Sequence, residues 1–160
     1  IWYEAGLLFE RLEHWELRQQ CWERVWDLES GAQSLTPTWI SEARFVEVAA
    51  LAIEALPAYV RSALGNVVVF AEDYPERWIF EAQNPDPRML GLFDGVGRDG
   101  EMATEVISDG PSRIYLYRWN IERRCLSADE VEREIRLTVQ HEVGHYLGLD
   151  EDELHLRGLG

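Results

Sequence analysis

Near the end of the sequence, in HEVGHYLGLDEDE, His141 and His145 stand four residues apart and Glu142 directly follows the first of them. On a helix, positions four apart lie about 40° apart around the axis, one turn above the other. Two imidazoles so related can both reach a metal about 2.1 Å away without moving the backbone, and zinc suits that donor set. Glu142 falls about 60° from His145, near enough to touch a water on the metal but angled away from ligating it. The chemistry this implies is metal-assisted hydrolysis, with Glu142 taking the proton of the water and returning it to the leaving group.

A catalytic zinc keeps three protein ligands and one open position. Gly148 stands where a helix C-cap glycine would turn the chain back toward the histidines, and Asp150, Glu151, Asp152 and Glu153 follow at once. If Gly148 is left-handed, residues three positions on are the first that can point back into the site. That favours Glu151, keeps Asp152 in reserve, and turns Asp150 to the neighbouring side. The bland alternative is a surface helix on which His and Glu happen to fall at this spacing. The glycine and the run of acids weigh against it, as does the cost of burying such groups without something to satisfy them.

The helix that must carry these residues reads as 128–147. Ser127 and Glu130 form a capping-box pattern at its start, and Val131, Ile135, Val139, Val143 and Leu147 recur every fourth residue as an apolar stripe. Val139 and Val143 sit about 160° from His141, so core covers one side of the helix and the polar site lies on the other.

Upstream, residues 66–73 (NVVVFAED) read as a central strand buried on both faces, residues 89–93 and 104–107 as weaker strands, and residues 114–119 (IYLYRW) as an alternating strand. The strand at 114–119 is expected to be an edge on which an extended substrate pairs, and Tyr115 and Tyr117 are weighed as oxyanion donors against plain packing roles. Ser41 is expected to cap a helix running to about residue 56, with Phe45, Val48, Ala49, Ala52 and Leu56 on one face. Pro57 suits the first turn of a short helix and Gly65 its C-terminal cap. Residues 2–13 and 15–29 read as two helices broken around His14, the second with Leu17, Cys21, Val25 and Leu28 on its apolar stripe. His14 is read as a turn residue and His155 as a surface residue. The composition shifts to Gly, Ser, Thr and Pro over 30–38. The expected organisation is a helical hairpin over 1–33, a linker over 34–40 and a hydrolase domain over 41–160. Its fold class is α+β: helices flanking a small mixed sheet, with a terminal helix carrying the chemistry.

Two resemblances attach to these segments. WYEAGLLFERLEHWELRQQCWERVWDLES resembles one tetratricopeptide repeat, with Trp2, Gly6, Phe9, Trp15, Trp22 and Val25 on its packing positions. Arg18 departs from it where a small residue is usual, and Ser30 stands where Pro commonly ends the repeat. One such repeat cannot bury its own faces, so either further repeats precede Ile1 or this one packs on the domain that follows. Residues 41–160 resemble the minimal zincin-like metallopeptidases through SEARFVEVAALAIEALP, NVVVFAED, PSRIYLYRWNIERR and HEVGHYLGLDEDEL. The resemblance implies a zinc peptidase with His141, His145 and Glu151 as ligands and Glu142 as general base. Metzincins share the glycine and the third-ligand spacing, but their Met-turn is absent here, since Met89 and Met102 both precede the motif.

Composition narrows the partners. With 46% apolar and 11% aromatic residues in 160, the chain can bury a core and is not a disordered polymer. A net charge of -15 repels phosphate backbones and anionic membrane surfaces, so neither nucleic acid nor a membrane is expected as a partner. No window approaches the ~20 apolar residues of a membrane span, and no segment has the form of a signal peptide. Because the chain starts at Ile1 rather than Met, any targeting signal would lie in a segment ahead of it. Cys21 and Cys125 read as free thiols of a cytoplasmic protein. The expected partners are a peptide or protein substrate and a protein bound through the helical repeat. The competing reading is a repeat-based protein-binding module whose metal site is structural or catalytically silent. Glu142 argues against it, because a structural site closes its fourth position with a ligand.

Overall fold

The apolar stripe of the terminal helix is the spine of the molecule. In the computed structural model, which describes residues 1–31, 38–65, 67–79, 85–95 and 112–148, Val131, Ile135, Val139 and Val143 are all fully buried. Each such aliphatic side chain contributes about 1.5–3 kcal/mol when removed from water. The chain runs α1 (Trp2–Arg11), α2 (Trp15–Glu29), α3 (Glu42–Glu54), α4 (Ala58–Leu64), β1 (Val68–Glu72), β2 (Gly91–Asp94), β3 (Arg113–Tyr117), α5 (Arg118–Arg124) and α6 (Ala128–Tyr146). The class is α+β, as expected, with a helical hairpin ahead of a unit built on a three-stranded mixed sheet.

Local chemistry sets the element ends. Ser127 Oγ accepts from the Glu130 N–H at 3.2 Å, and Glu130 reaches back to the Leu126 N–H at 2.7 Å, so α6 opens on a reciprocal cap. Ser41 Oγ caps α3 by accepting from the Arg44 N–H at 3.2 Å. α3 lays Phe45, Val48, Ala49 and Ala52 into the same core as α6, and Arg44 ties the two helices by donating to Glu132 at 2.7 Å. Gly65, at φ 57°, ends α4 in a conformation that glycine adopts without a Cβ penalty.

The sheet departs from the sequence reading in two ways. Its order is β1-β3-β2, with β1 parallel and β2 antiparallel to β3. β1 was expected at the centre and buried on both faces, but among the described strands it is an edge, with Val68 and Phe70 partly exposed. A run of β-branched residues encodes pairing on a pleated surface, not which strands flank it. β3, expected as an edge, is instead the central one of the described strands. Ile114 and Leu116 face the α3–α6 core, while Tyr115 and Tyr117 face a second cluster with Ile79 and Leu92. Its alternation therefore separates two cores, not core from solvent. The strand also stops at Tyr117, because Arg118 begins α5 with its guanidinium on Asp73 and the Trp119 N–H donating to the Asp73 carbonyl at 3.0 Å. The strand expected at 104–107 lies outside the described residues.

The hairpin depends on one close approach. A Cβ on Gly6 would fall 2.2 Å from Trp22 Nε1, so only glycine lets α1 lie on the indole of α2. Arg18 stacks its guanidinium over Trp22 at 4.5 Å and Trp15 at 5.1 Å and pairs with Glu10 at 3.0 Å. That explains how a long side chain is accommodated where a small one was expected. The hairpin docks on the unit that follows: Tyr3 donates to Asp86 at 2.7 Å, and Trp26 Nε1 donates to the Pro75 carbonyl at 2.9 Å. Glu29 holds both Arg88 and Arg123.

Candidate metal centre

α6 presents His141 and His145 to one side and its valine stripe to the other. The imidazoles meet edge to face, with centroids 4.6 Å apart and an interplanar angle of 86°. Their Nε2 atoms are 3.0 Å apart. Two nitrogens on one tetrahedral zinc stand roughly 3.3 Å apart, given bonds of about 2.05 Å. The separation is within a few tenths of an ångström of that value, and is also a hydrogen-bonding distance between two ring nitrogens. Glu142, next to His141 on the same helix, is buried at 6% exposure.

What holds Glu142 was not foreseen. β2 begins at Gly91, where a Cβ would lie 2.8 Å from Thr138 Cγ2 and 3.0 Å from both Cγ and Oε1 of Glu142. The strand backbone thus passes directly over the carboxylate, with a threonine one turn back on α6 completing the clamp. Thr138 donates its hydroxyl to the Glu134 carbonyl at 2.8 Å, which fixes its rotamer. A glycine interrupting the apolar run MLGLF was the available signal, since such a residue marks a close backbone approach.

A cavity of about 550 Å³ opens beside these groups, lined by Leu90, Gly91, Leu137, Thr138, His141 and Glu142 among others. Tyr3 lines it too, with Arg88 and Arg124, so the hairpin helps to form it. Tyr115 and Tyr117 have packing roles. Tyr115 stacks on Phe70 at 5.4 Å, and Tyr117 is fully buried, its phenol pushed well above the ordinary range by burial and by the neighbouring Tyr115 and Glu142.

Gly148 has φ 76°, and its N–H donates to the His145 carbonyl at 2.9 Å, so the helix ends in the left-handed turn that the sequence suggested. Asp150, Glu151, Asp152, Glu153 and His155 lie outside the described residues. Among the described residues no group of three or more His, Cys, Asp and Glu side chains is arranged to hold a metal. A catalytic zinc takes three protein ligands, and among the described residues His141 and His145 are the two adjacent candidates for that role. No helix among the described residues is long and apolar enough to cross a membrane. A family model described as zincin-like metallopeptidase matches residues 64–159, from the end of α4 through the histidine pair and the acids that follow. No curated protein matches the chain.

Proposed function

The chain belongs to the zincin-like metallopeptidase family, and from that premise we propose that it hydrolyses peptide bonds with zinc held by His141, His145 and Glu151 and with Glu142 as general base. The observation that carries this reading is the pair of Nε2 atoms 3.0 Å apart beside a buried carboxylate at the edge of a cavity. The chemistry zinc supplies when bound is to bring the pKa of a water toward ~7 and to polarise the scissile carbonyl. Glu142 accepts the proton of the attacking water and delivers it to the leaving amine. Burial under Gly91 keeps its carboxylate in one place through both transfers.

β3 is paired on both sides and has no free edge for a substrate. Among the described strands β2 is an edge, and it starts against Glu142, so an extended peptide pairing there would lie beside the base. We read residues 1–33 as a tetratricopeptide-like unit, 34–40 as linker and 41–160 as the peptidase domain. The Gly6–Trp22 contact supports the first, and a protein partner would bind through that unit. The charge of -15 argues against nucleic acid as substrate. Buried free thiols at Cys21 and Cys125 support a cytoplasmic location.

The test is metal analysis together with one substitution. The purified chain should carry about one zinc, lost on changing His141 or His145 to Ala. Glu142→Gln should keep the zinc and lose peptide hydrolysis. Peptidase activity retained by Glu142→Gln would place the base elsewhere.

A further inference from the structure

The cavity beside Glu142 has a neighbour. Tyr3, Arg88 and Arg124 also line a second cavity of about 600 Å³, which extends between the hairpin and α5 to Leu28, Glu29, Asn120 and Arg123. Acidic residues outnumber basic ones 30 to 15 in this chain, yet the second cavity carries three arginines against one glutamate. The single carboxylate is shared, because Glu29 pairs with both Arg88 and Arg123. Arg88 also lies over the Tyr3 ring at 4.3 Å, so it serves the docking of the hairpin. Arg124, exposed in the last turn of α5, has no ion pair among the described residues.

A second group in this wall is incomplete. Asn120 Nδ2 donates to the carbonyls of Pro87 at 3.0 Å and Met89 at 2.8 Å, which holds the turn bearing Arg88. Its Oδ1 is buried and has no hydrogen-bond partner among the described residues. The cavity nearer the base shares Arg88 and Arg124 but sets three carboxylates, Asp86, Glu134 and Glu142, against them. The arginine excess lies on the side of the second cavity, where Arg123 joins Arg88 and Arg124 against Glu29 alone, and a carboxylate is favoured on that side of Arg124.

We propose that the cavity between the hairpin and α5 is a specificity subsite for a carboxylate of the peptide substrate, with Arg124 as the recognising cation and the hairpin as its outer wall. This rests on the peptidase reading of the histidine site. The carboxylate is an Asp or Glu side chain, or the C-terminus of the peptide.

The test uses the full zinc-loaded chain carrying Glu142→Gln, so that peptides bind without turnover. The probes are fluorescent dodecapeptides of one neutral sequence in which a single Glu is stepped along the chain. Each has a Gln counterpart, and each is made as C-terminal acid and amide. Fluorescence anisotropy should show one Glu position, or the free C-terminus, binding about tenfold tighter than its neutral counterpart, as a charge-assisted hydrogen bond provides. Adding Arg124→Glu should abolish that advantage, measured as the ratio of acidic to neutral peptide affinity within the same variant, and Arg124→Gln should reduce it. A Glu–Gln difference that persists in the amides identifies a side chain, and an acid–amide difference identifies the terminus. Equal binding of all forms, no binding of any, or an advantage that survives Arg124→Glu overturns the subsite. Hydrolysis of the same peptides by the Glu142 parent separates the two readings. Turnover without charge preference removes the subsite alone, and Arg124-dependent binding without turnover removes the peptidase reading alone.

Discussion

Replacing Gly91 by Ala tests whether the strand passing over Glu142 is part of the catalytic apparatus. The added Cβ would stand 2.8 Å from Thr138 Cγ2 and 3.0 Å from Cγ and Oε1 of Glu142. Comfortable carbon contacts are about 3.5–4.0 Å, so the overlap is about 0.5–1 Å. Gly91 is not in the left-handed region, so the effect is steric rather than conformational. Thr138 is β-branched and bonded to the Glu134 carbonyl, and cannot rotate cheaply. Glu142 has more torsions and gives way. Overpacking of this kind costs about 1–3 kcal/mol, offset by about 0.4–1 kcal/mol from the stiffer unfolded chain. For a chain of this size each kcal/mol lowers Tm by about 2–4 °C. A base displaced by about 1 Å loses on the order of 100-fold in rate. The Gly91→Ala protein should therefore keep its zinc, melt a few degrees lower, and lose about two orders of magnitude in kcat with KM little changed. Adding Thr138→Ser removes the methyl at 2.8 Å and should recover part of the Tm but not the rate. Parental turnover in Gly91→Ala, or loss of zinc in step with turnover, would refute the reasoning.

The third ligand is tested by titrating zinc: Glu151→Ala should weaken binding on the order of a hundredfold or more, whereas Asp150→Ala and Glu153→Ala should change it little. Zinc affinity unchanged in Glu151→Ala would transfer the role to Asp152. Glu122 is 1% exposed, and burial raises its pKa above the ordinary carboxylate range against the opposing pull of backbone N–H groups at Ile40 and Trp39 and of Arg118. A carboxyl whose folded pKa is raised costs stability above that pKa and costs nothing below its unfolded value. Glu122→Gln should accordingly raise Tm at neutral pH, with the gain shrinking as pH falls through the raised pKa and absent below the unfolded one; a gain independent of pH would contradict this. Gly6→Ala, with its Cβ 2.2 Å from Trp22 Nε1, should spread the hairpin and red-shift tryptophan emission while zinc binding survives. An unchanged emission spectrum would show that α1 moves aside at no cost.

What the sequence determined by itself was local. The His141–His145 spacing, the Ser127 cap, the valine stripe, the Gly148 turn and the two-helix hairpin each depend on residues within a few positions of one another, where helical geometry fixes the outcome. Tertiary structure decided the rest. Whether NVVVFAED or IYLYRW lies at the centre of the sheet depends on which strands flank each, and both are apolar enough for either place. The helix α5 follows β3 because Arg118 finds Asp73, 45 residues away in sequence. Gly91 over Glu142 joins residues about fifty positions apart, and the arginine wall gathers Tyr3 and Glu29 of the hairpin with Arg88 and Arg124. Such juxtapositions leave no periodicity along the chain, because they arise only when separate elements pack on a shared core and bring distant side chains to one cavity.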